Sequence, residues 1–120
     1  MKFLWVALAG AAGAVTRYAI GLAFGTERFP WATLLINITG SFVLAFVVTF
    51  ATERRLSIEL STAITVGFLG AYTTFSTFAY ETFTMGHTER VPAALAYVAA
   101  SVVGGLSAAW AGYELARAVG

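Results

Sequence analysis

Cysteine is absent from this 120-residue chain, so disulfides and thiolate metal sites are excluded. Charged residues are scarce at 11% of the sequence, and the formal net charge at pH 7 is only +1. A charge this close to zero gives no indication of a nucleic-acid partner or of an acidic partner. The only prolines, Pro30 and Pro92, each stand at the start of an apolar block, where a missing backbone N–H is harmless. Both therefore indicate helix boundaries.

What the chain has in excess is apolar side chains. Hydrophobic residues make up 59% of the sequence and the mean hydropathy is +0.81, values far outside the range of soluble domains of this size. Each of four apolar blocks, at residues 3–24, 31–51, 60–85 and 91–118, has roughly the 20 residues that a helix needs to cross a bilayer. Continuous apolar runs such as 42–48 exclude the alternating pattern of membrane β-strands. The sequence predicts one all-α membrane domain over residues 1–120, with four transmembrane helices.

Short charged segments separate the blocks, at residues 25–30, 52–57 and 86–90, and are expected to be turns at the membrane surfaces. Basic side chains near those surfaces divide unevenly between the two sides of the membrane. Lys2, Arg54, Arg55 and Arg117 would lie on the side of the termini, and Arg28 and Arg90 on the other. So weak a positive-inside bias leaves two interpretations open, insertion in both orientations or ordinary insertion with cytoplasmic termini.

Small residues recur four positions apart in every block, the spacing that lets transmembrane helices approach closely. The pairs are Gly10 with Ala14, Ser41 with Ala45, Gly67 with Ala71, and Gly104 with Ala108. Four helices of this length can hardly enclose a hydrophilic pathway by themselves. We therefore expect an oligomer, most simply a dimer.

The third block contains a candidate helix break. Gly67 and Gly70 precede Thr73 and Thr74, a combination that lowers helix propensity and supplies hydroxyls that compete for backbone hydrogen bonds. A break would free main-chain carbonyls at membrane depth, where they are tolerated if they are buried in protein or bind a ligand, and such oxygens suit a hard cation. The alternative interpretation is a tightly packed helix crossing.

Two aromatic rings follow the candidate break. On a helix, Phe75 and Phe78 share one face, Glu81 continues it, and Thr74 with Thr77 forms an adjacent line of hydroxyls. The edges of aromatic rings are positive, so rings presented edge-on would help to solvate an anion without trapping it. The alternative is ordinary packing or lipid contact.

Other blocks add isolated polar side chains, each with two interpretations. Asn37 shares a face with Thr33, and its amide would donate to an anion or serve as an interhelical hydrogen bond. Tyr97 and Ser101 would line a pathway from the fourth block or form a packing seam. Arg17 would reach the membrane surface or line a vestibule.

No motif for nucleophilic, metal-assisted or acid–base catalysis is present, so the sequence predicts that the chain is not an enzyme.

Three strings together resemble the Fluc/CrcB family of fluoride channels along the whole chain. They are TLLINITGSF at 33–42, GFLG at 67–70 leading into TTFSTF at 73–78 with Glu81, and Gly13-Ala14 with Arg17-Tyr18. The resemblance implies a passive fluoride-selective channel in the cell inner membrane that exports fluoride from the cytoplasm. It also implies an antiparallel, dual-topology homodimer with two pores and a structural sodium ion at the dimer interface.

The resemblance further implies a role for each matching position. The main-chain carbonyls of Gly70 and Thr73 would hold sodium, and Arg17 would lie at a vestibule. The fluoride pathway would comprise Asn37, Phe75, Phe78, Tyr97, Ser101, Thr33, Thr74, Thr77 and Glu81. The chain departs from the family pattern at Ala71, Tyr72 and Gly105, which leaves the polar lining of its own pathway open.

Two other functions are weighed against the channel. One is a proton-coupled exporter that resembles the small multidrug-resistance proteins, which use a carboxylate in the first span. This chain has none there, and its candidates are Glu81 and Glu114. The other is a non-transporting subunit, which would carry no ion flux when purified alone.

Overall fold

The computed structural model describes residues 1–25 and 28–120, and every regular element in this part of the chain is helical. Thr26 and Glu27, in the predicted turn at 25–30, lie outside the described residues. The elements are α1 (Lys2–Phe24), α2 (Trp31–Arg54), α3 (Ile58–Thr62), a π-helical segment (Ala63–Leu69), α4 (Gly70–Tyr72), α5 (Phe75–His87) and α6 (Val91–Val119). The all-α prediction is therefore confirmed.

Three helices, α1, α2 and α6, are long and apolar enough to cross a membrane. They contain 23, 24 and 29 residues, and at 1.5 Å per residue each exceeds the roughly 30 Å thickness of a hydrocarbon core. Their bounds lie within a few residues of three predicted spans. Apolar composition was a sufficient signal in these blocks because the helices continue through the isolated polar residues within them.

The block predicted as one span over residues 60–85 is divided in the structure. Helix α4 ends at Tyr72, and the next two residues are extended, Thr73 with φ −82° and ψ 157° and Thr74 with φ −151° and ψ 119°. The hydroxyl of Thr73 donates to the Leu69 carbonyl at 2.9 Å. The hydroxyl of Thr74 caps α5 by accepting from the Thr77 amide at 3.2 Å. The threonine hydroxyls thus satisfy the backbone on both sides of the interruption, which we call the Thr73–Thr74 break.

Close backbone contacts hold the elements together. Helix α2 packs along α6, and α1 packs against the π-helical segment and α4. A Cβ atom on Gly67 would lie 2.8 Å from the Val6 carbonyl, and one on Gly104 would lie 2.8 Å from Cδ1 of Ile38. Small residues of the predicted packing pairs are therefore used inside one chain. Their spacing alone does not argue for an oligomer.

Two buried hydrophobic clusters each combine a residue of α2 with residues of other elements. One contains Leu34, Met85, Ala94 and Tyr97, and the other contains Ile36, Leu69 and Tyr72. Large apolar side chains elsewhere remain exposed, as expected where lipid or a further subunit replaces water. The two clusters hold the Thr73–Thr74 break between α1, α2 and α6.

Candidate functional site

A groove of about 400 Å³ lies between α2, the Thr73–Thr74 break and α6. Its lining residues are Asn37, Gly40, Ser41, Leu44, Thr65, Leu69, Gly70, Thr73, Thr74, Phe75, Phe78, Ser101 and Val102. The lining combines hydroxyls, an amide and aromatic rings with aliphatic side chains, and none of the described residues that form it is charged. The structure thus brings seven of the predicted site residues to one surface.

The side chain of Asn37 holds the break through both of its polar atoms. Its Nδ2 donates to the Thr74 carbonyl at 3.0 Å, and its Oδ1 accepts from the Thr74 amide at 2.9 Å. An extended residue packed among apolar helices needs such partners because no helical bond satisfies its backbone. An amide nitrogen has two N–H groups, so Asn37 keeps one for another acceptor. The interhelical bond and the anion donor, posed above as alternatives, are therefore compatible.

The same contact changes the bonding of a neighbouring carbonyl. In a continuous α-helix the Thr74 amide would donate to the Gly70 carbonyl, but here it donates to Asn37. Gly70 is exposed, and Gly70 and Thr73 both line the groove. Main-chain oxygens of this kind are ligands that a hard cation accepts. Over residues 1–25 and 28–120, no group of three or more His, Cys, Asp or Glu side chains is placed to hold a metal ion.

The two phenylalanines differ in their surroundings. Their ring centroids are 6.0 Å apart, with an interplanar angle of 56°. The ring of Phe78 is half-buried and packs against Tyr97 with centroids 5.0 Å apart and an angle of 62°. Phe75 is 78% exposed. Packing within the chain therefore fixes the orientation of Phe78 and leaves the ring of Phe75 exposed.

Tyr97 and Ser101 do not line the groove together. Tyr97 is fully buried behind Phe78, and its hydroxyl donates to Oε1 of Glu81 at 2.9 Å. The hydroxyl of Ser101 lines the groove, is buried, and has no hydrogen-bond partner among the described residues. A buried hydroxyl without a partner is rare and costs free energy. Ser101 is thus a donor available to a polar occupant of the groove.

A second cavity, of about 230 Å³, lies on the other side of Thr74. It is lined by Arg17, Tyr18, Gly21, Leu22, Ala32, Thr33, Ile36, Thr74 and Thr77. Arg17 is half-buried here, and its Nε donates to the Ala71 carbonyl at 3.0 Å. A guanidinium at the carboxyl end of a helix is also favoured by the helix dipole. Arg17 therefore faces the protein interior instead of extending to the membrane surface.

A further contact joins the break to α2. The hydroxyls of Tyr72 and Thr39 are 2.9 Å apart. Thr39 already donates its single proton to the Leu35 carbonyl at 2.7 Å, so Tyr72 is the donor in this pair. Tyr72 is 8% exposed and stacks on Phe68 with ring centroids 5.8 Å apart. Its hydroxyl would be unsatisfied without Thr39.

Comparison with known proteins gives a concordant result. Residues 4–113 match the family model described as CrcB-like protein, Camphor Resistance (CrcB). The chain belongs to the CrcB family. A relative from Geobacillus kaustophilus, named "Fluoride-specific ion channel FluC 2", is 46% identical over 98% of this chain and 94% of its own length. Relatives named as fluoride-specific ion channels from Desulfitobacterium hafniense and Acidobacterium capsulatum are each 44% identical, over 89% and 93% of this chain and 96% and 93% of their own lengths.

Membership in the CrcB family confirms the resemblance drawn from the three sequence strings. Together with the three long apolar helices, it identifies a multi-pass membrane protein. The prediction that the chain is not an enzyme is also confirmed, since the names of its relatives describe ion channels.

Sequence reasoning missed three contacts of this CrcB protein. They are the bonds from Arg17 to Ala71, from Tyr72 to Thr39, and from Tyr97 to Glu81. Their partners are 54, 33 and 16 residues apart, so no helical spacing relates them. The only available signal was that each includes a polar side chain within an apolar block, where a partner is expected.

Proposed function

We propose that this protein is a passive, fluoride-selective channel that exports fluoride from the cytoplasm and so reduces its toxicity. The proposal is supported by relatives named as fluoride-specific ion channels, which are similar to almost the whole of this chain. Without a site for ATP in the sequence, transport would follow the fluoride gradient.

The observation that carries the proposal is the chemistry of the groove. Fluoride is small and strongly hydrated, so a selective path has to replace its water with convergent donors that still release the ion. The free N–H of Asn37 and the unpaired hydroxyl of Ser101 are such donors, and the edges of Phe75 and Phe78 would complete the shell. No fixed positive charge in the lining would trap the anion.

From the groove, the polar path would continue past Phe78 to Tyr97 and Glu81. These residues are in contact through the packed rings and the hydroxyl–carboxylate bond. On the other side of Thr74, the cavity with Thr33 and Thr77 would form a vestibule, where the charge of Arg17 attracts anions. This arrangement gives a role to every residue of the predicted pathway.

The residues that line the groove give less support to the alternative function, a proton-coupled exporter. A proton-coupled exporter needs a carboxylate beside its substrate, but no Asp or Glu is among the described residues that line the groove. Glu81 accepts a hydrogen bond from Tyr97, and Glu114 is exposed on α6. Neither carboxylate lines the groove.

The functional unit would be an antiparallel, dual-topology homodimer in the cell inner membrane. Residues 58–72 and 75–87 would together form a fourth, interrupted crossing, so both termini of one chain lie on the same side. A second copy related by a two-fold axis in the membrane plane would cover the groove and the exposed ring of Phe75. Each pore would then combine side chains from both copies.

The carbonyls of Gly70 and Thr73 from both copies would hold a structural sodium ion at the interface. The positive charge of the ion would reduce the repulsion among the carbonyl oxygens that the Thr73–Thr74 breaks of the two copies would bring together. The donors fit because they are main-chain oxygens of two residues that line the groove, and the Thr74 amide donates to Asn37 instead of to the Gly70 carbonyl. Side-chain substitutions at these positions would leave the oxygen ligands in place.

Fluoride efflux from liposomes containing the purified protein tests the channel. We expect rapid release of fluoride, measured with an electrode, and release of chloride at the rate of protein-free liposomes. Replacing sodium by N-methylglucamine during purification should lower the active fraction, and returning sodium should restore it. No fluoride release from a demonstrably folded dimer would exclude the channel and favour the non-transporting subunit. Equal activity without sodium would exclude only the sodium site.

Orientation can be measured because the native chain has no cysteine. Thr88→Cys introduces one exposed thiol just after α5, near the membrane surface. In sealed liposomes, a membrane-impermeant maleimide should label about half of the thiols of an antiparallel dimer, and detergent should make the rest reactive. Protein insertion into liposomes can itself be random, so cells expressing the variant provide the matched measurement. Complete labelling, or none, in intact spheroplasts would contradict dual topology.

A further inference from the structure

Hydrogen bonds from neighbouring helices hold the residues around the Thr73–Thr74 break at three positions, Ala71, Tyr72 and Thr74. The Ala71 carbonyl accepts from Nε of Arg17 in α1. The Tyr72 hydroxyl bonds to Thr39 in α2, and the backbone of Thr74 bonds to Asn37 in the same helix. Three of the five residues in segment 70–74 are therefore hydrogen-bonded to a neighbouring helix.

The residues of segment 70–74 divide into those that line the groove and those that do not. Gly70, Thr73 and Thr74 line the groove, whereas Ala71 and Tyr72 do not. A Cβ atom on Gly40 would collide with Cγ2 of Thr73 and would lie 3.4 Å from the ring of Tyr72. Helix α2 thus approaches the segment as closely as its backbone allows. Arg17 and Thr39 thus hold Ala71 and Tyr72, the residues of the segment that do not line the groove, while Gly70 and Thr73 line it.

We propose that Arg17, Thr39 and Tyr72 are positioning residues that hold the segment 70–74 in its interrupted form within each chain. This inference deepens the proposed function, because it assigns the geometry of the carbonyls of Gly70 and Thr73 to side chains that contact no ion. The break is then formed before sodium binds. A preformed set of oxygens binds its ligand more tightly than one that has to be ordered at the same time.

The ring and the hydroxyl of Tyr72 make separate contacts. The ring is buried among Ile36, Leu69 and Phe68, so it belongs to the core whatever the hydroxyl does. Among the described residues, Thr39 is the one hydrogen-bond partner of the hydroxyl. Tyr72→Phe therefore removes the anchor while keeping the packing. An ordinary hydrogen bond corresponds to about a tenfold change in an opening equilibrium.

Amide hydrogen exchange of the purified, detergent-solubilised protein tests the proposal without fluoride. In Tyr72→Phe and in Thr39→Val, peptides covering residues 70–77 should exchange about tenfold faster, while peptides of α6 remain unchanged. The double variant should exchange no faster than the single variants, since both remove one bond. Arg17→Met should also accelerate exchange, and Arg17→Lys should restore part of the protection because lysine still donates.

Thr52→Val is the matched control. Its hydroxyl also donates within α2, to the Val48 carbonyl at 2.9 Å, but Thr52 does not line the groove. It should leave exchange at 70–77 unaltered. A second readout is the sodium concentration that gives half-maximal protection of this segment, which should rise about tenfold in Tyr72→Phe.

Two results would overturn the inference. One is exchange within twofold of the parent protein in both Tyr72→Phe and Thr39→Val. The other is equal acceleration by Thr52→Val, which would indicate a general loss of stability. Neither result bears on fluoride efflux from the parent protein, so a failure of the channel proposal and a failure of this one can be distinguished.

Discussion

Asn37→Asp should reduce fluoride efflux at least about a hundredfold. The carboxylate can still accept from the Thr74 amide, but it has no N–H to donate to the Thr74 carbonyl, so two oxygens would face each other at about 3 Å. The substitution also places a negative charge in the proposed anion path, where like charge excludes fluoride. Both effects act in the same direction. The measurement is initial efflux from liposomes at matched protein density.

Thr52→Asp is the control for charge. It introduces the same carboxylate into the same helix at an exposed position outside the groove lining. Efflux by this variant should stay within a few-fold of the parent protein. An Asn37→Asp channel with similarly unchanged efflux would remove Asn37 from the path and from the set of contacts needed to hold the break.

The parts of the fold that could be predicted are those set by local composition. Uninterrupted apolar length located α1, α2 and α6 because a helix that satisfies its own backbone is the stable solution in hydrocarbon. The polarity of Thr73 and Thr74 identified the segment where regular structure is interrupted, because their hydroxyls compete for backbone partners. Spacing rules were sufficient where the relevant contacts are within one helix.

The rest of the site depends on contacts between helices. Sequence spacing placed Tyr97 on one face with Ser101, but the fold buries Tyr97 against Glu81 and leaves Ser101 at the groove. For Arg17 the sequence left two interpretations open. The structure shows that its hydrogen-bond partner is the Ala71 carbonyl, 54 positions away, which no helical spacing could have indicated. Such partners are fixed by the packing of α1 and α2 on the break, which helical periodicity does not describe.

Phe75 and Phe78 should each be required for flux, and replacing both with isoleucine should have the larger effect. Isoleucine keeps the apolar character but lacks the positive ring edge that would solvate fluoride. A single aromatic edge contact is worth about a tenfold change, so the two single variants should each lose about tenfold in efflux, and the double variant about a hundredfold. Phe78→Ile also removes the packing against Tyr97.

Phe83→Ile provides the comparison that separates ring chemistry from packing. Phe83 is 65% exposed on the same helix and stacks on His87, but it does not line the groove. Size-exclusion profiles should show an unchanged assembly for all four variants, with efflux lost only where a groove ring is replaced. If Phe75→Ile and Phe78→Ile conduct like Phe83→Ile, ring edges do not solvate the ion. The hydroxyl of Ser101 and the amide of Asn37 would then remain as the donors in the groove.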